Sequence, residues 1–235
     1  MRQPLLRRRK KGFGESMSIP GKNEYLSALC DRLAKRWPDN AAVNIVCHGH
    51  SVPAGYACTP WVDTFHAYPH LVHRTLNQRF PYAVTNVIVT AVGGETSPQG
   101  AARFERDVLC HQPDLVILDY GLNDRQAGLA EAEQAWRSMI EKTLERGIPI
   151  MLMTPSWDLT WFSQSGEWHA LETHAAQERA LAAEYGAALG DSFAAFRRYI
   201  DGGGDLQNLL SHWNHPSPLG HELIAREITG WFTAR

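Results

Sequence analysis

Ser51 stands where a side chain can react. It follows the apolar run Ala42-Val43-Asn44-Ile45-Val46-Cys47 through His48-Gly49-His50 and leads into Val52-Pro53-Ala54-Gly55-Tyr56. A chain that leaves a buried strand through glycine and lands on serine ahead of proline presents a hydroxyl at a sheet edge. In open α/β sheets, ligands bind beyond the carboxyl ends of the strands. Three other small-residue turns could meet that hydroxyl: Gly93-Gly94-Glu95-Thr96, Gly121-Leu122-Asn123-Asp124, and His215-Pro216-Ser217-Pro218-Leu219-Gly220-His221. Together they hold the parts for acyl transfer. A serine attacks a carbonyl, a histidine takes its proton, and a side-chain amide and backbone N–H groups hold the oxyanion. Glycine at 94 lets a backbone N–H approach a ligand with no Cβ in the way.

The elements that must carry these turns are read from apolar periods of 2 and 3.6 residues. Strands are expected at 42–47, 82–92, 114–120 and 148–153, with a short fifth at 187–189. Helices are expected at 25–37, 68–80, 97–111, 130–145, 171–185 and 193–200, and from Ser217-Pro218 to Phe232. Ser97-Pro98 reads as an N-cap followed by proline in the first turn. Asp114 to Tyr120 is almost wholly apolar inside, as a strand covered on both faces should be. Strand–helix alternation with short connections predicts a parallel sheet covered by helices on both faces. Parallel strands then bring the first three turns to one edge.

The four blocks, in this order, resemble the SGNH hydrolase superfamily of GDSL-type esterases and lipases, from about Val43 to Phe232. The resemblance implies a flavodoxin-like three-layer αβα sandwich with a mostly parallel sheet of about five strands. It implies that Ser51 is the nucleophile, that Gly94 and Asn123 join the Ser51 N–H in the oxyanion hole, and that His215 is the general base, with no cofactor. The sequence departs from the family pattern twice. His50 replaces the aspartate of the usual Gly-Asp-Ser, and His212 stands where the family has an aspartate three residues before the base. A histidine cannot supply the anion that stabilises the imidazolium. Three readings remain open: a backbone carbonyl near His212 orients His215 in a Ser–His dyad, Asp201 or Asp205 folds back as a displaced acid, or the site is not catalytic.

The 235 residues, 44% hydrophobic and 20% charged, fit one globular domain. The formal net charge of -2 gives no reason to expect nucleic acid or an anionic membrane as partner. The cluster Arg7-Arg8-Arg9-Lys10-Lys11 reads as part of a solvated tail over residues 1–20 ahead of a domain at 21–235, and Met17 is a possible start. No secretory apolar stretch follows the cluster, so a cytoplasmic location is expected. The four cysteines form no CxxC pair, and Cys58, in a loop near Ser51, is the one worth testing for reactivity. The histidine groups 48/50, 66/70/73 and 212/215 lack a recognised ligand spacing, so no metal is expected.

Trp157, Trp161, Phe162 and Trp168 crowd the loop after the fourth strand, and Trp213 lies beside His215. With His50, the tryptophans at 157, 161 and 213 are candidates to contact substrate, since aromatic rings can stack on sugars or line an acyl pocket. The family resemblance points to short acyl esters, including O-acetyl groups on carbohydrates. The expected function is a serine esterase. A carbohydrate-binding protein without catalysis and an acyltransferase using the same residues are the alternatives.

Overall fold

Alternation along the strands decides the layering. In β1 (Val43–Gly49) the side chains of Val43, Ile45 and Cys47 join one core, and Val46 joins a second core on the opposite face. In β3 (Leu115–Asp119) Leu115 and Ile117 part from Val116 and Leu118 in the same way. β4 (Ile150–Met153) repeats the pattern, with Met151 and Met153 against Ile150 and Leu152. A period of two on strands buried on both faces requires helices above and below.

The computed structural model describes residues 18–233. Most of the expected basic tail at 1–20 lies outside the described residues. β2 (Thr85–Val89) and β5 (Ala188–Gly190) complete a five-stranded sheet, all parallel, in the order β2-β1-β3-β4-β5. That is the flavodoxin-like order, whose switch point lies between β1 and β3. The chain leaves β1 toward one edge and returns to β3 on the other side. A crevice therefore opens beyond the carboxyl ends of these two strands.

On one face lie α1 (Ser27–Leu33), α2 (Tyr68–Arg79), α6 (Ser192–Asp201) and α7 (Pro218–Thr229). On the other lie α3 (Ser97–Asp107) and α4 (Leu129–Glu145). The 20-residue α5 (Gly166–Tyr185) serves both, giving Leu171 and Ala175 to the first core and Leu181 and Ala182 to the second. His221 of α7 joins two helices: its Nδ1 accepts the Tyr68 N–H at the start of α2, at 3.2 Å. Burial pushes its pKa down to about 3, so it stays neutral there.

Several boundaries move from those expected. The first helix ends at Leu33, preceded by a separate turn at Lys22–Tyr25. β2 keeps only the centre of 82–92 because it is an edge strand that pairs with β1 alone. Thr96 rather than Ser97 caps α3, forming a capping box with Gln99. α5 starts at Gly166, five residues before the expected Leu171, because Trp168 is buried against Trp157 and Phe193 and draws the chain into helix. Single turns at Ser51–Ala54, Gly121–Asp124, Thr160–Ser163 and Leu206–Leu209 have no counterpart in the expected pattern. No described helix is long and apolar enough to cross a membrane.

Candidate active site

The register of β1 on β3 fixes the first component. Gly49 pairs with Asp119, and a Cβ on residue 49 would lie 2.3 Å from the Asp119 carbonyl oxygen and 2.8 Å from Pro53 Cγ. Only glycine permits that approach. The chain then turns sharply, with the His50 N–H donating to the Asp119 carbonyl at 3.3 Å. Ser51 opens a helical turn whose Val52 N–H donates to His50 Nδ1 at 3.3 Å.

His215 arrives from the far end of the chain. A bridge between Leu210 and Pro216, with the Ser217 N–H on the Leu209 carbonyl at 2.7 Å, holds the 209–217 loop ahead of α7. The imidazole spans two contacts: Nε2 lies 3.0 Å from Ser51 Oγ, and Nδ1 lies 2.8 Å from the Ala57 carbonyl oxygen. A carbonyl only accepts, so Nδ1 carries the ring proton and Nε2 offers its lone pair to the hydroxyl. Burial pushes the His215 pKa below the ordinary histidine value; the Ala57 carbonyl opposes this, and His50 and His212 reinforce it. The ring is therefore neutral, and able to accept a proton, at neutral pH.

Ala57 is held in place by its own hairpin. Tyr56 bridges Val62, the Ala57 N–H donates to the Trp61 carbonyl at 3.0 Å, and the Asp63 N–H donates to the Gly55 carbonyl at 2.8 Å. The Tyr56 N–H reaches back to the Ser51 carbonyl at 3.0 Å. One short segment thus leaves the serine turn and returns an acceptor to the histidine.

The other two turns converge on the same edge. Gly94 has φ +79°, a conformation that favours glycine, and open space where a Cβ would stand. Asn123 follows β3 in a buried turn and donates one amide hydrogen from Nδ2 to the Glu95 carbonyl at 3.0 Å. Asp124 ties the turn down, accepting from the Ser97 N–H at 2.7 Å and from Trp136 Nε1 at 2.8 Å.

Among the remaining sequence candidates, the possible acids and the inner tryptophans fall away from the Ser51–His215 pair, while His50 and Trp213 stay near it. His212 is exposed, and its ring lies 6.4 Å from that of His215 between centroids, while Ala57 occupies the orienting position. The orienting carbonyl therefore comes from after the first strand rather than from near residue 212. Asp205 is exposed and accepts the Gln207 N–H at 2.9 Å as a helical cap, and Asp201 ends α6. Trp157 has no exposed surface; Trp161, Trp168 and Phe193 enclose it, so it offers no face to a ligand. Trp161 packs on both Trp157 and Trp168, with the Arg197 guanidinium 5.0 Å from its ring centre. Trp213 is 49% exposed. His50 is wholly buried behind Ser51. Residue type does not single out Ala57, Trp61 or Asp119; the one available signal for Asp119 is its acidic side chain at the end of an otherwise apolar strand. No group of three or more His, Cys, Asp or Glu among the described residues could hold a metal ion.

Residues 47–223, most of the chain, match the model of the GDSL-like Lipase/Acylhydrolase family. An acetylxylan esterase of Geobacillus stearothermophilus is 26% identical over 161 residues, which are 63% of this chain and 72% of the relative. The crystal structure of Axe2, an acetylxylan esterase of the same organism, superposes with TM-score 0.69 at 22% identity, covering 82% of this chain and 97% of that one. A two-domain esterase active on acetylated mannans gives TM-score 0.71 at 21% identity over 91% of this chain and 53% of that one. The matched stretch takes in the turns at Ser51, Gly94, Asn123 and His215 that the sheet brings to one edge. The chain thus belongs to the GDSL-like lipase/acylhydrolase family, of the SGNH hydrolase superfamily, and is a carboxylic ester hydrolase.

Proposed function

We propose that this enzyme removes short acyl groups, acetyl above all, from esterified carbohydrate by Ser–His catalysis. The observation that carries the reading is the line Ser51 Oγ–His215 Nε2 at 3.0 Å and His215 Nδ1–Ala57 O at 2.8 Å. Ser51 Oγ attacks the ester carbonyl while His215 Nε2 takes its proton. The tetrahedral oxyanion is held by the N–H groups of Ser51 and Gly94 and by Asn123. Collapse breaks the ester bond, and His215 returns the proton to the leaving sugar hydroxyl. Water, deprotonated by His215, then attacks the acyl-serine and releases the acid.

A carboxylate behind the base normally fixes its tautomer and stabilises the imidazolium. Misplacing the tautomer is the expensive failure, about 10⁴-fold in kcat in serine proteases. The Ala57 carbonyl supplies the correct tautomer without an acid. This weakens the motive for reading the chain as a non-catalytic binding protein.

The carbohydrate assignment draws support from the relatives, which act on acetylated xylan and mannan. It also draws on two exposed rings. Trp61, 63% exposed, belongs to the hairpin that orients His215, and Trp213, 49% exposed, lies two residues from His215. Flat apolar rings with a polar edge suit the faces of pyranose sugars.

Acetate release from acetylated xylo- and manno-oligosaccharides, with p-nitrophenyl acetate as a generic ester, tests the proposal against Ser51→Ala. Wild-type turnover that survives in the variant would refute it. Added sugar alcohols that divert the acyl group from water would identify a transferase.

A further inference from the structure

Ser51 Oγ sits between two imidazoles, His215 Nε2 at 3.0 Å and His50 Nδ1 at 3.4 Å. Its single proton can go to only one of them. His50 fills the position where the resembled family carries aspartate, and its other nitrogen, Nε2, lies 3.5 Å from Asp119 Oδ1. Both residues are buried, and His50 Nε2 makes no hydrogen bond, so its approach to Asp119 is an electrostatic contact rather than a formed hydrogen bond. We infer that His50 and Asp119 form a positioning pair for the nucleophile, which fixes the His50 tautomer and so directs the Ser51 proton to His215. The inference rests on the assignment of Ser51 and His215 as the reacting pair.

Backbone geometry gives the tautomer. The Val52 N–H can only donate, and it points at His50 Nδ1 from 3.3 Å, so that nitrogen bears a lone pair and no hydrogen. With no hydrogen on Nδ1, the ring proton is on Nε2, the nitrogen 3.5 Å from Asp119 Oδ1. The one in-plane lone pair of Nδ1 is engaged by Val52, and the Ser51 hydroxyl has a free acceptor only at His215. The reversed tautomer would set two N–H donors against each other at Val52 and aim a lone pair at a carboxylate. It would also donate a hydrogen bond to Ser51 Oγ, blunting the nucleophile.

The pair is built in by the sheet. β1–β3 register places Asp119 beside Gly49, its carbonyl accepts the His50 N–H, and its carboxylate meets the His50 ring. A carboxylate is costly to bury unless a partner compensates it. The Tyr68 phenol also feels this carboxylate: burial first, and then the Asp119 charge, push its pKa well above the ordinary tyrosine value. Aspartate at residue 50, the usual family choice, would here face a second carboxylate. The two departures from the family pattern thus fall on different partners: His50 acts on the serine, while the base relies on Ala57.

The test combines kinetics with ring nitrogen chemical shifts of ¹⁵N-histidine-labelled protein. His50→Ala should lower kcat by about 10²-fold with KM little changed, the size expected for a misplaced reacting group. His50→Asn keeps an acceptor for the Val52 N–H and adds no charge, and should recover most of that loss. His50→Asp should not, because it confronts Asp119. Asp119→Leu should match His50→Ala. In the wild type, the shifts should show His50 protonated on Nε2 and His215 on Nδ1. A His50 ring protonated on Nδ1, or a folded His50→Ala enzyme with wild-type kcat, overturns the inference, and the wild-type shifts decide it even if Asp119→Leu fails to fold. Wild-type turnover by Ser51→Ala would instead refute the assignment of the reacting pair, a separate result.

Discussion

The imidazole of His215 is oriented by the main-chain carbonyl of Ala57, 2.8 Å from Nδ1 and 158 residues away along the chain. No carboxylate takes part in that contact. Side chains that could have played the acid are therefore dispensable. Asp205→Ala should leave kcat/KM within about twofold of wild type, since a surface cap contributes only about 1 kcal/mol to local stability and nothing to the reaction. A large loss of turnover in a folded Asp205→Ala protein would contradict the orienting role of Ala57.

The pH profile should show the same arrangement. His215 must be neutral to act as base, and burial holds its pKa below the ordinary 6.5. The ascending limb of kcat/KM is expected below pH 6.5, with the activity lost as pH falls through it. His212 adds to the depression of the His215 pKa. His212→Ala should therefore move the limb to higher pH while leaving the plateau intact. A shift in the opposite direction would contradict the electrostatic role of His212.

Asn123 tests the oxyanion hole. Its turn is held by the bond from Nδ2 to the Glu95 carbonyl, so Asn123→Ala removes the proposed oxyanion donor together with a tether. Loss of one oxyanion donor costs about 3 to 4 kcal/mol, or roughly 10²–10³ in kcat. KM should change little, because the donor acts on charge that develops only in the transition state. Steady-state kinetics with circular dichroism as a fold control separate the two effects. Equal losses in kcat and in ground-state binding would count against the role.

Glu178 offers a stability test close to the site. Its carboxyl is fully buried without a hydrogen-bond partner, beside Gly121 of the Asn123 turn. Burial, and then repulsion from Asp124 and Asp119, raise its pKa well above 4.5. A raised folded-state pKa stabilises below the unfolded value and loses that contribution as pH rises. Glu178→Gln should therefore raise Tm, more at pH 8 than at pH 5. A gain that is the same at both pH values would mean that the carboxyl does not titrate as described. Gly121→Ala should destabilise, because its Cβ would fall 2.1 Å from Glu178 Oε1.

Trp61 and Trp213 separate sugar recognition from ester chemistry. Each substitution to alanine should raise KM for acetylated oligosaccharides by about fivefold, equivalent to about 1 kcal/mol of lost ring contact. Turnover of p-nitrophenyl acetate should be unaffected. If both substrates suffer equally, the rings support the loop rather than the sugar.

Most of the fold was legible in the sequence because strands buried on both faces announce themselves. Ala42 to Cys47 and Asp114 to Tyr120 read as strands from their apolar runs, and parallel connection then gathers the turns at 51, 94 and 123. The edge strand was drawn too long because its exposed flanks, Tyr82, Val84 and Val92, are apolar without being core. The aromatic loop misled in the other direction. Trp157 looked available, but Trp161, Trp168, Phe193 and the Arg197 guanidinium close around it. Ala57 could not have been found by residue type at all. Every residue has a carbonyl, and only the hairpin from Gly55 to Asp63 aims this one.

An orienting atom that belongs to the main chain cannot be deleted by exchanging a side chain. No particular functional group is therefore demanded at residue 57, only a side chain small enough for its buried place, and a point mutation has one target fewer in the proposed catalytic apparatus. Vulnerability passes to chain length: a single residue inserted into or removed from the hairpin would swing the acceptor away and leave the imidazole free to turn.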